Sequence, residues 1–228
     1  MEDVTVPWPD RRKARTRAAL VSAGQLLLAR GRTDVSIQEI TDLAGVGFGS
    51  FYNHFATKGD LFEAAVEAAL NTWGTLRDEA VHGLTDPAEI FAVSFRMTGR
   101  MQRRYPELVA VVLRTGTAVL SKDQGLRPRA LADIAEGIAQ ERFRGPSPEL
   151  ALMVAGGALL GLLQMLASDA SLDDGPLSDE FAARVLVMLG LEEREAREIV
   201  GRPLPPSPSL LGEDGGVTLD SPPSLSQA

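Results

Sequence analysis

The sequence predicts an all-α protein in which a short N-terminal helix-turn-helix precedes a larger helical domain. Apolar residues recur at intervals of three and four along most of the chain. The stretches with this spacing are separated from one another by Gly, Pro and capping residues. No run alternates with period two strongly enough to predict a strand. Charge is also divided unevenly, since residues 11–58 carry a net +5 and residues 59–228 a net −10.

Nine helical segments follow from this periodicity. Gly31 ends the first, and Ser36 with Glu39 forms a capping box at the start of the second. Asp86-Pro87 opens the fifth, and Tyr105-Pro106 interrupts the chain after it. The predicted helices span residues 11–30, 36–45, 47–54, 58–79, 87–104, 107–120, 129–143, 150–167 and 178–191.

Composition excludes several classes of site. The chain has no cysteine, which rules out disulfides and thiolate chemistry and fits a reducing cytoplasm. The first 17 residues contain acids, two prolines and a basic cluster but no apolar stretch, so we expect no secretory signal and a cytoplasmic location. No carboxylate pair, metal cluster or nucleophile–base set is recognisable. We therefore predict no catalytic residues, no metal, no cofactor and no enzyme activity.

The basic segment leaves two interpretations open when it is considered alone. A basic head on an acidic body is typical of a DNA-binding domain joined to a separate sensing or assembly domain. A solvated basic helix with no partner shows the same charge pattern. Gly45, Gly47 and Gly49 do not indicate a nucleotide loop, because they follow a helical pattern and lack the full fingerprint.

Residues 36–61 predict two short helices joined by a tight turn at Gly45-Val46. Apolar side chains of both helices can pack against Leu20 and Leu27 of the first helix, which forms a three-helix core and exposes the opposite face of the last helix. The predicted inward residues are Ile40, Ala44, Val46, Phe51 and Phe55, and the predicted exposed residues are Gly47, Phe48, Ser50, Asn53 and His54.

The run 49–55, Gly-Ser-Phe-Tyr-Asn-His-Phe, followed by Lys58 and Leu61-Phe62, resembles the tetracycline-repressor (TetR) family of regulators. This resemblance covers residues 15–65, and the rest of the chain matches only in architecture. It implies double-stranded DNA as partner, with the second short helix in the major groove. It also implies an N-terminal DNA-binding domain and a C-terminal domain for effector binding and dimerisation.

The resemblance assigns roles by position along the motif. Gly47, Phe48 and Ser50 would face base edges, Tyr52 and His54 would reach phosphates or nearby bases, and Lys58 would bind a phosphate. Contacts to the DNA backbone would come from Ser36, Gln38, Thr41 and Arg15, while Asn53 lies on the exposed face. Phe48 departs from the polar residue common in the family, and Gly59 from an acidic one. Because Phe48 cannot donate a hydrogen bond, specificity there would come from a thymine methyl or from DNA shape.

Residues 150–167 are almost wholly apolar, with Gln164 as the strongly polar exception. This length is the lower limit of a membrane span, but Glu149 and Asp169 flank it and no Lys or Arg anchors it. We predict a buried helix that pairs with residues 178–191 and with a second subunit, while a transmembrane helix is the alternative. The predicted homodimer interface contains Gly157, Gly161, Phe181 and Val185.

The middle helices are rich in Met and aromatic residues, which fill a core more often than they line a pocket. The resemblance implies an effector cavity among these helices, bound by a small, largely hydrophobic molecule. The predicted effector-binding residues are Trp73, Phe91, Phe95, Met97, Met101, Thr115 and Gln164, with Arg96 and Gln102 as further polar candidates.

Together these features predict four regions: a flexible arm (1–10), a helix-turn-helix domain (11–58), an effector-binding and dimerisation domain (59–200) and a disordered Pro-rich tail (201–228). The expected protein represses transcription from a near-palindromic operator until an effector tilts the helix beginning at Lys58. Alternatives are a helical DNA-binding or adaptor protein without an effector and, with less support, a small all-α enzyme.

Overall fold

The structure is a computed structural model, and it describes residues 8–121, 126–145 and 147–205. The described residues form helices and loops with no strand, so the all-α prediction is confirmed. The α-helices are α1 Trp8–Ala29, α2 Ile37–Leu43, α3 Phe48–Tyr52, α4 Lys58–Ala80, α5 Pro87–Gly99, α6 Met101–Arg104, α7 Pro106–Thr115, α8 Arg127–Ala139, α9 Pro148–Ser168, α10 Asp174–Met188 and α11 Glu193–Val200. A 3₁₀ segment, Gly116–Ser121, follows α7.

The chain divides into an N-terminal unit that ends at Thr72 and a C-terminal unit that begins at Trp73. The sequence had placed this boundary at residues 58/59, at the start of α4. The first part of α4 instead belongs to the N-terminal unit, since a Cβ built on Gly24 of α1 lies 3.1 Å from Cβ of Ala65. Gln25 also donates a hydrogen bond from Nε2 to the carbonyl oxygen of Ala65, at 3.4 Å.

The core of the N-terminal unit is built from α1, α2, α3 and the first part of α4. Its fully buried side chains include the predicted Leu20, Leu27, Ile40 and Phe51. Phe55 is buried too, whereas Ala44 and Val46 are only half-buried. The three-helix core that the spacing predicted is therefore present.

The C-terminal unit is a bundle in which α10 packs on α5, α9 and α11. Its core includes Phe95, Ile134, Leu162 and Leu186. No sequence pattern predicted α11, which is short and mostly charged. It is helical because Ala196, Ile199 and Val200 fall on one buried face, three and four residues apart.

Parts of the two regions that the sequence predicts to be flexible are ordered in the structure. Helix α1 begins at Trp8, so the arm prediction is wrong for residues 8–10, and residues 1–7 lie outside the described residues. At the other end, Arg202 donates to Glu89 at 2.7 Å, and its carbonyl oxygen accepts from Arg96 at 3.0 Å. These bonds order the start of the predicted tail, and residues 206–228 lie outside the described residues.

Candidate DNA-binding surface and effector cavity

The helix-turn-helix is held by hydrogen bonds at both ends of α2. The backbone N–H of Glu39 donates to Oγ of Ser36, and the backbone N–H of Ser36 donates to Oε2 of Glu39, which completes the predicted capping box. These bonds from Ser36, together with Arg32, lower the pKa of Glu39. At the other end Gly45 adopts φ +64°, and the N–H of Val46 donates to the carbonyl oxygen of Thr41. This turn sets the direction in which α3 begins.

Helix α3 buries one ring and exposes two. Phe51 is fully buried, whereas Phe48 is 49% exposed and Tyr52 is 56% exposed. The ring of Phe48 meets that of Tyr52 edge-on at 6.0 Å, and Tyr52 meets Phe51 edge-on at 5.5 Å. Gly47, Gly49 and Asn53 are exposed beside these rings. The face predicted to carry DNA contacts is thus open to solvent, with Ser50 and His54 half-buried at its edges.

Basic residues of α1 lie next to the end of α3. The guanidinium of Arg17 stands 5.3 Å from the ring centroid of Phe55. Burial, followed by the charges of Lys13 and Arg17, holds the pKa of His54 below its usual range. Arg15 is exposed on the same helix. This end of the unit therefore combines positive charge with an imidazole that favours its neutral form.

Four further predicted DNA contacts occupy different environments. Ser36 and Gln38 are exposed, and Gln38 donates to Oδ1 of Asp42 at 2.7 Å. Thr41 is fully buried, and its hydroxyl donates to the carbonyl oxygen of Gln38. The prediction for Thr41 is wrong for that reason, because a side chain in the core cannot touch a phosphate. Lys58 begins α4 and donates from Nζ to the carbonyl oxygen of Val35 at 2.7 Å.

The C-terminal unit contains a cavity of about 110 Å³ bounded by α4, α5, α8, α9 and the 3₁₀ segment. Phe91, Phe95 and Ile134 form part of an apolar wall that is closed on the α9 side by Leu152 and Ala155. The remaining lining residues are Arg77, Ser94, Thr98, Leu120, Leu126, Arg127, Arg129, Ala130, Asp133, Gly156 and Leu159.

The polar part of the cavity is an ionic network centred on Arg77. This guanidinium is buried, donates to Oγ of Ser94 at 2.6 Å and to Oδ1 of Asp78 at 2.9 Å, and donates to Oδ2 of Asp133. Arg129 donates to the other oxygen of Asp78 at 2.7 Å. Burial raises the pKa of Asp133, although the charge of Arg77 opposes this shift and that of Asp78 adds to it.

The predicted effector residues divide between the cavity and other places. Phe91 and Phe95 line the cavity. Trp73, Met97 and Met101 are buried but do not line it, because they pack in the bundle core. The prediction for Gln164 is wrong, since its side chain is exposed on α9. Thr115 ends α7, and its side chain lies outside the described residues.

Sequence reasoning missed the ionic network, although one signal pointed to it. Arg77 follows the buried Trp73 by four residues and so shares its helix face. Asp133 directly precedes the fully buried Ile134. The other polar candidates have different roles: Arg96 pairs with Asp179 at 2.7 Å, and Gln102 is buried outside the cavity.

Helix α9 is exposed along one apolar stripe. A Cβ atom added to Gly157 or to Gly161 would have no neighbouring atom within 4 Å. We define the α9 stripe as Leu150, Met153, Val154, Gly157, Gly161 and Met165, all of which are exposed. On α10, Val185 is buried and Phe181 packs against the core, so the prediction that Val185 meets a partner is wrong. The exposed apolar residues of α10 are Val187 and Met188.

By length and composition α9 is also apolar enough to cross a membrane. Of the 18-residue stretch of α9 that meets this criterion, 39% is buried within the protein. A core helix of a soluble protein meets the same criterion. In the described part of the chain, His, Asp and Glu side chains form no group of three that could hold a metal ion.

A helix-turn-helix followed by a helical unit with a largely apolar cavity is the architecture expected of a DNA-binding regulator that responds to a small molecule. The family comparison agrees with this class. Residues 19–65 match the family of bacterial regulatory proteins called tetR, and residues 86–202 match the tetracyclin repressor-like C-terminal domain. The chain belongs to the TetR family of transcriptional regulators, which confirms the resemblance and the regulatory function predicted from the sequence.

Comparison with solved structures supports the same family assignment. RolR in complex with its ligand resorcinol is 36% identical, with a TM-score of 0.74, over 87% of this chain and 100% of that chain. RolR without ligand is 34% identical, with a TM-score of 0.71, over 84% and 100%. SmeT, the repressor of the Stenotrophomonas maltophilia multidrug efflux pump SmeDEF, shares the fold at 18% identity and TM-score 0.56, over 75% and 89%. A search of curated protein sequences found no match.

Proposed function

We propose that this chain is a cytoplasmic homodimeric repressor that leaves its operator when a small aromatic molecule bearing a hydroxyl group binds in the C-terminal unit. The observation that carries this proposal is the carboxylate of Asp133 in the wall of an otherwise largely apolar cavity. The volume of the cavity limits the size of the ligand, and the polar groups in its wall limit the polarity. Both favour a ligand with a single aromatic ring and a hydroxyl group.

The volume of the cavity fits a single ring. An apolar cavity of roughly 150 Å³ binds benzene in another protein, and the cavity here measures about 110 Å³. The rings of Phe91 and Phe95 lie 5.9 Å apart in the wall, where they can contact the face or edge of an aromatic ligand. A larger effector requires the cavity to expand.

The polar groups favour a ligand that donates hydrogen bonds. Hydroxyls in the wall already have partners: Ser94 accepts from Arg77 and donates to Ile90, while Thr98 donates to Ser94 and accepts from Trp73. Arg77 donates to one oxygen of Asp133, and a carboxylate accepts about four hydrogen bonds in all. Asp133 can therefore accept from a phenolic hydroxyl, whereas the guanidinium of Arg77 already donates to Ser94, Asp78 and Asp133. RolR, which binds resorcinol, is consistent with this chemistry.

For the DNA partner we propose the exposed face of α3 and the basic side of α1. Tyr52, Asn53 and His54 would contact phosphates or nearby bases, with Phe48, Ser50 and Gly47 over base edges. Arg15, Ser36 and Gln38 would contact the backbone from α1 and α2. Lys58 retains further ammonium donors beside its bond to Val35, because an ammonium group has three N–H donors.

For the dimer we propose that the α9 stripe, Val187 and Met188 form the contact with a second copy. The stripe is apolar, and its two glycines permit close approach of another helix. Burial of the stripe in a dimer also explains an apolar exposed helix without a membrane. A Gly157→Leu substitution should then shift the protein to monomer in sedimentation, while Gln140→Leu at the exposed C-terminal end of α8 should not.

Effector binding and DNA release are linked through α4 in this proposal. The helix begins at Lys58, in the N-terminal unit, and carries Arg77 of the cavity wall. A ligand that binds more tightly to the conformation incompatible with DNA will lower DNA affinity by that difference in affinity.

The test uses the full-length protein and duplex DNA selected by it from a random library. Fluorescence anisotropy measures DNA affinity in the presence of resorcinol, phenol or benzoate. We expect resorcinol and phenol to release the DNA and benzoate to have little effect. Asp133→Asn should weaken the response about tenfold, because hydrogen bonds to charged acceptors are roughly twice as strong as neutral ones. The control Gln140→Ala, at the exposed C-terminal end of α8, should respond normally.

Two results would contradict the proposal. Release by benzoate but not by phenols would show that an anion is recognised and that Asp133 is not the anchor. Intact, sequence-specific DNA binding that none of the three compounds affects would remove the effector part and leave a DNA-binding protein of another ligand class.

A further inference from the structure

The N-terminal half of α3 presents no hydrogen-bonding side chain to solvent. Gly47 precedes the helix and Phe48-Gly49 begins it, and all three are exposed. Ser50, the next hydroxyl along the chain, is only half-exposed. A partner that meets this part of α3 side-on therefore meets an aromatic ring between two glycines.

The ring of Phe48 is held in place although it is exposed. Tyr52 stands against it at 6.0 Å with an interplanar angle of 69°, and Tyr52 in turn rests on Phe51 at 5.5 Å and 81°. Phe51 belongs to the core and is fully buried. The three rings form an edge-to-face series from the core to the surface, so little side-chain entropy remains to be lost when Phe48 meets a partner.

The two flanking glycines leave room that the backbone does not require. Gly47 has φ −68°, and neither Gly47 nor Gly49 is among the residues with positive φ, so other residue types can adopt both conformations. A Cβ on Gly49 meets nothing within 4 Å, and one on Gly47 meets only Oγ of Ser50 at 3.8 Å. The open space lies outside the protein, where it allows close approach of a second molecule to the ring.

We propose that Phe48 recognises the 5-methyl group of a pyrimidine in the major groove. This inference rests on the proposed DNA-binding function and names what that surface reads. The 5-methyl of thymine is the apolar feature of the major-groove edge, and Phe is among the side chains that contact it. A methylated cytosine carries the same group at the same ring position. The operator is therefore specified at this position by a methyl group and not by a hydrogen bond.

The test removes the methyl group without changing base pairing. Duplexes selected by the full-length protein from a random library are resynthesised with deoxyuridine in place of each thymine in turn. We expect one position in each half-site at which the change weakens binding about fourfold, the factor that corresponds to about 0.8 kcal/mol for one buried carbon. At that position we also expect a duplex with 5-methylcytosine to bind more tightly than a duplex with cytosine. This second comparison tests the methyl group on cytosine separately from the methyl group on thymine.

Variants assign the effect to the ring. Phe48→Ala should bind thymine and uracil duplexes equally, and its exposed position makes unfolding an unexpected result that circular dichroism will detect. Phe48→Leu should keep part of the discrimination. The matched control Tyr52→Phe keeps the ring next to Phe48 and removes a hydroxyl that is itself a proposed DNA contact. It should therefore weaken binding to thymine and uracil duplexes equally and leave the ratio between them unchanged.

The outcomes separate this inference from the proposed function. Sequence-specific binding with no thymine-to-uracil effect at any position overturns the inference and leaves the DNA-binding function intact. A thymine-to-uracil effect that persists in Phe48→Ala shows that DNA shape or another side chain reads the methyl, which also overturns the inference. Failure to select any preferred duplex overturns the proposed function itself.

Discussion

The two units of this chain use aromatic residues in opposite ways. In the N-terminal unit Phe48 and Tyr52 face solvent, and one buried ring, Phe51, supports them. In the C-terminal unit Phe91 and Phe95 are buried, and they face a cavity that also contains charge. The outer surface of the first unit is thus the proposed place of DNA binding, and the interior of the second is the proposed place of effector binding.

This difference has a physical reason. DNA is too large to be enclosed, so the groups that bind it must project from a rigid support. A small molecule gains most affinity when it is surrounded, and then one or two polar groups are enough to orient it. Substitutions at the exposed rings should therefore affect binding alone, whereas substitutions in the cavity should affect both folding and binding.

The largest effect is expected from Arg77→Met. It leaves Asp133 buried without its cationic partner, and breaking such a pair costs about 3–5 kcal/mol. We expect the free energy of unfolding in urea to fall by about this amount, nearer the lower limit because the side chain of Asp133 is 18% exposed. The double variant Arg77→Met/Asp133→Leu should recover most of the loss. A loss equal to that of a surface substitution would show that the pair is solvated.

An intermediate effect is expected from Gly156→Ala. Its Cβ would lie 2.6 Å from Cδ2 of Leu120, which must move within the cavity wall. We expect about 1 kcal/mol of destabilisation from overpacking and weaker release of DNA by phenol. Gly157→Ala is the matched control, because a Cβ there meets nothing within 4 Å. Gly157→Ala should leave the release of DNA by phenol unchanged and affect only the monomer–dimer equilibrium. If phenol released DNA equally well from both variants, the assignment of Gly156 to the cavity would be contradicted.

A smaller effect of opposite sign is expected from Gly49→Ala in the N-terminal unit. Alanine in a helix is more stable than glycine by roughly 0.5–1 kcal/mol, and the added Cβ meets nothing within 4 Å. We expect a higher midpoint in thermal unfolding together with weaker DNA binding in anisotropy. DNA affinity that rises with stability would show that DNA does not approach α3 at this residue.

The smallest effect concerns pH and His54. Its pKa is lowered by burial and by Lys13 and Arg17, so the folded state disfavours the protonated ring. Its contribution to stability is present above the usual pKa of about 6.5 and is lost as pH falls. DNA phosphates would favour protonation, so DNA affinity should rise as pH falls while stability decreases. His54→Asn should flatten both trends between about pH 5 and 7, and a DNA affinity trend unchanged by the substitution would remove His54 from the DNA contact.

Most of the N-terminal unit was predictable because its signals are local. The capping box of Ser36 and Glu39, the turn at Gly45 and the spacing of Ile40 and Phe51 each act within a few residues. The motif at residues 49–55 then assigned the family. Thr41 was the exception. It lies at the border between the buried and the exposed face of α2, and only tertiary packing decides on which face its side chain falls.

The C-terminal unit shows what sequence leaves undetermined. Helix α9 is apolar on every side, so spacing could not distinguish its buried Leu162 from its exposed Met165. On α10 the sequence likewise did not distinguish the buried Val185 from the exposed Val187. The cavity brings together Arg77, Ser94, Asp133 and Gly156 from four helices, and no local pattern links them. The sequence by itself determined the helices other than α11, the helix-turn-helix motif and the family. Tertiary structure alone decided which side chains line the cavity and which remain exposed for a partner, because burial depends on contacts between residues distant in the chain.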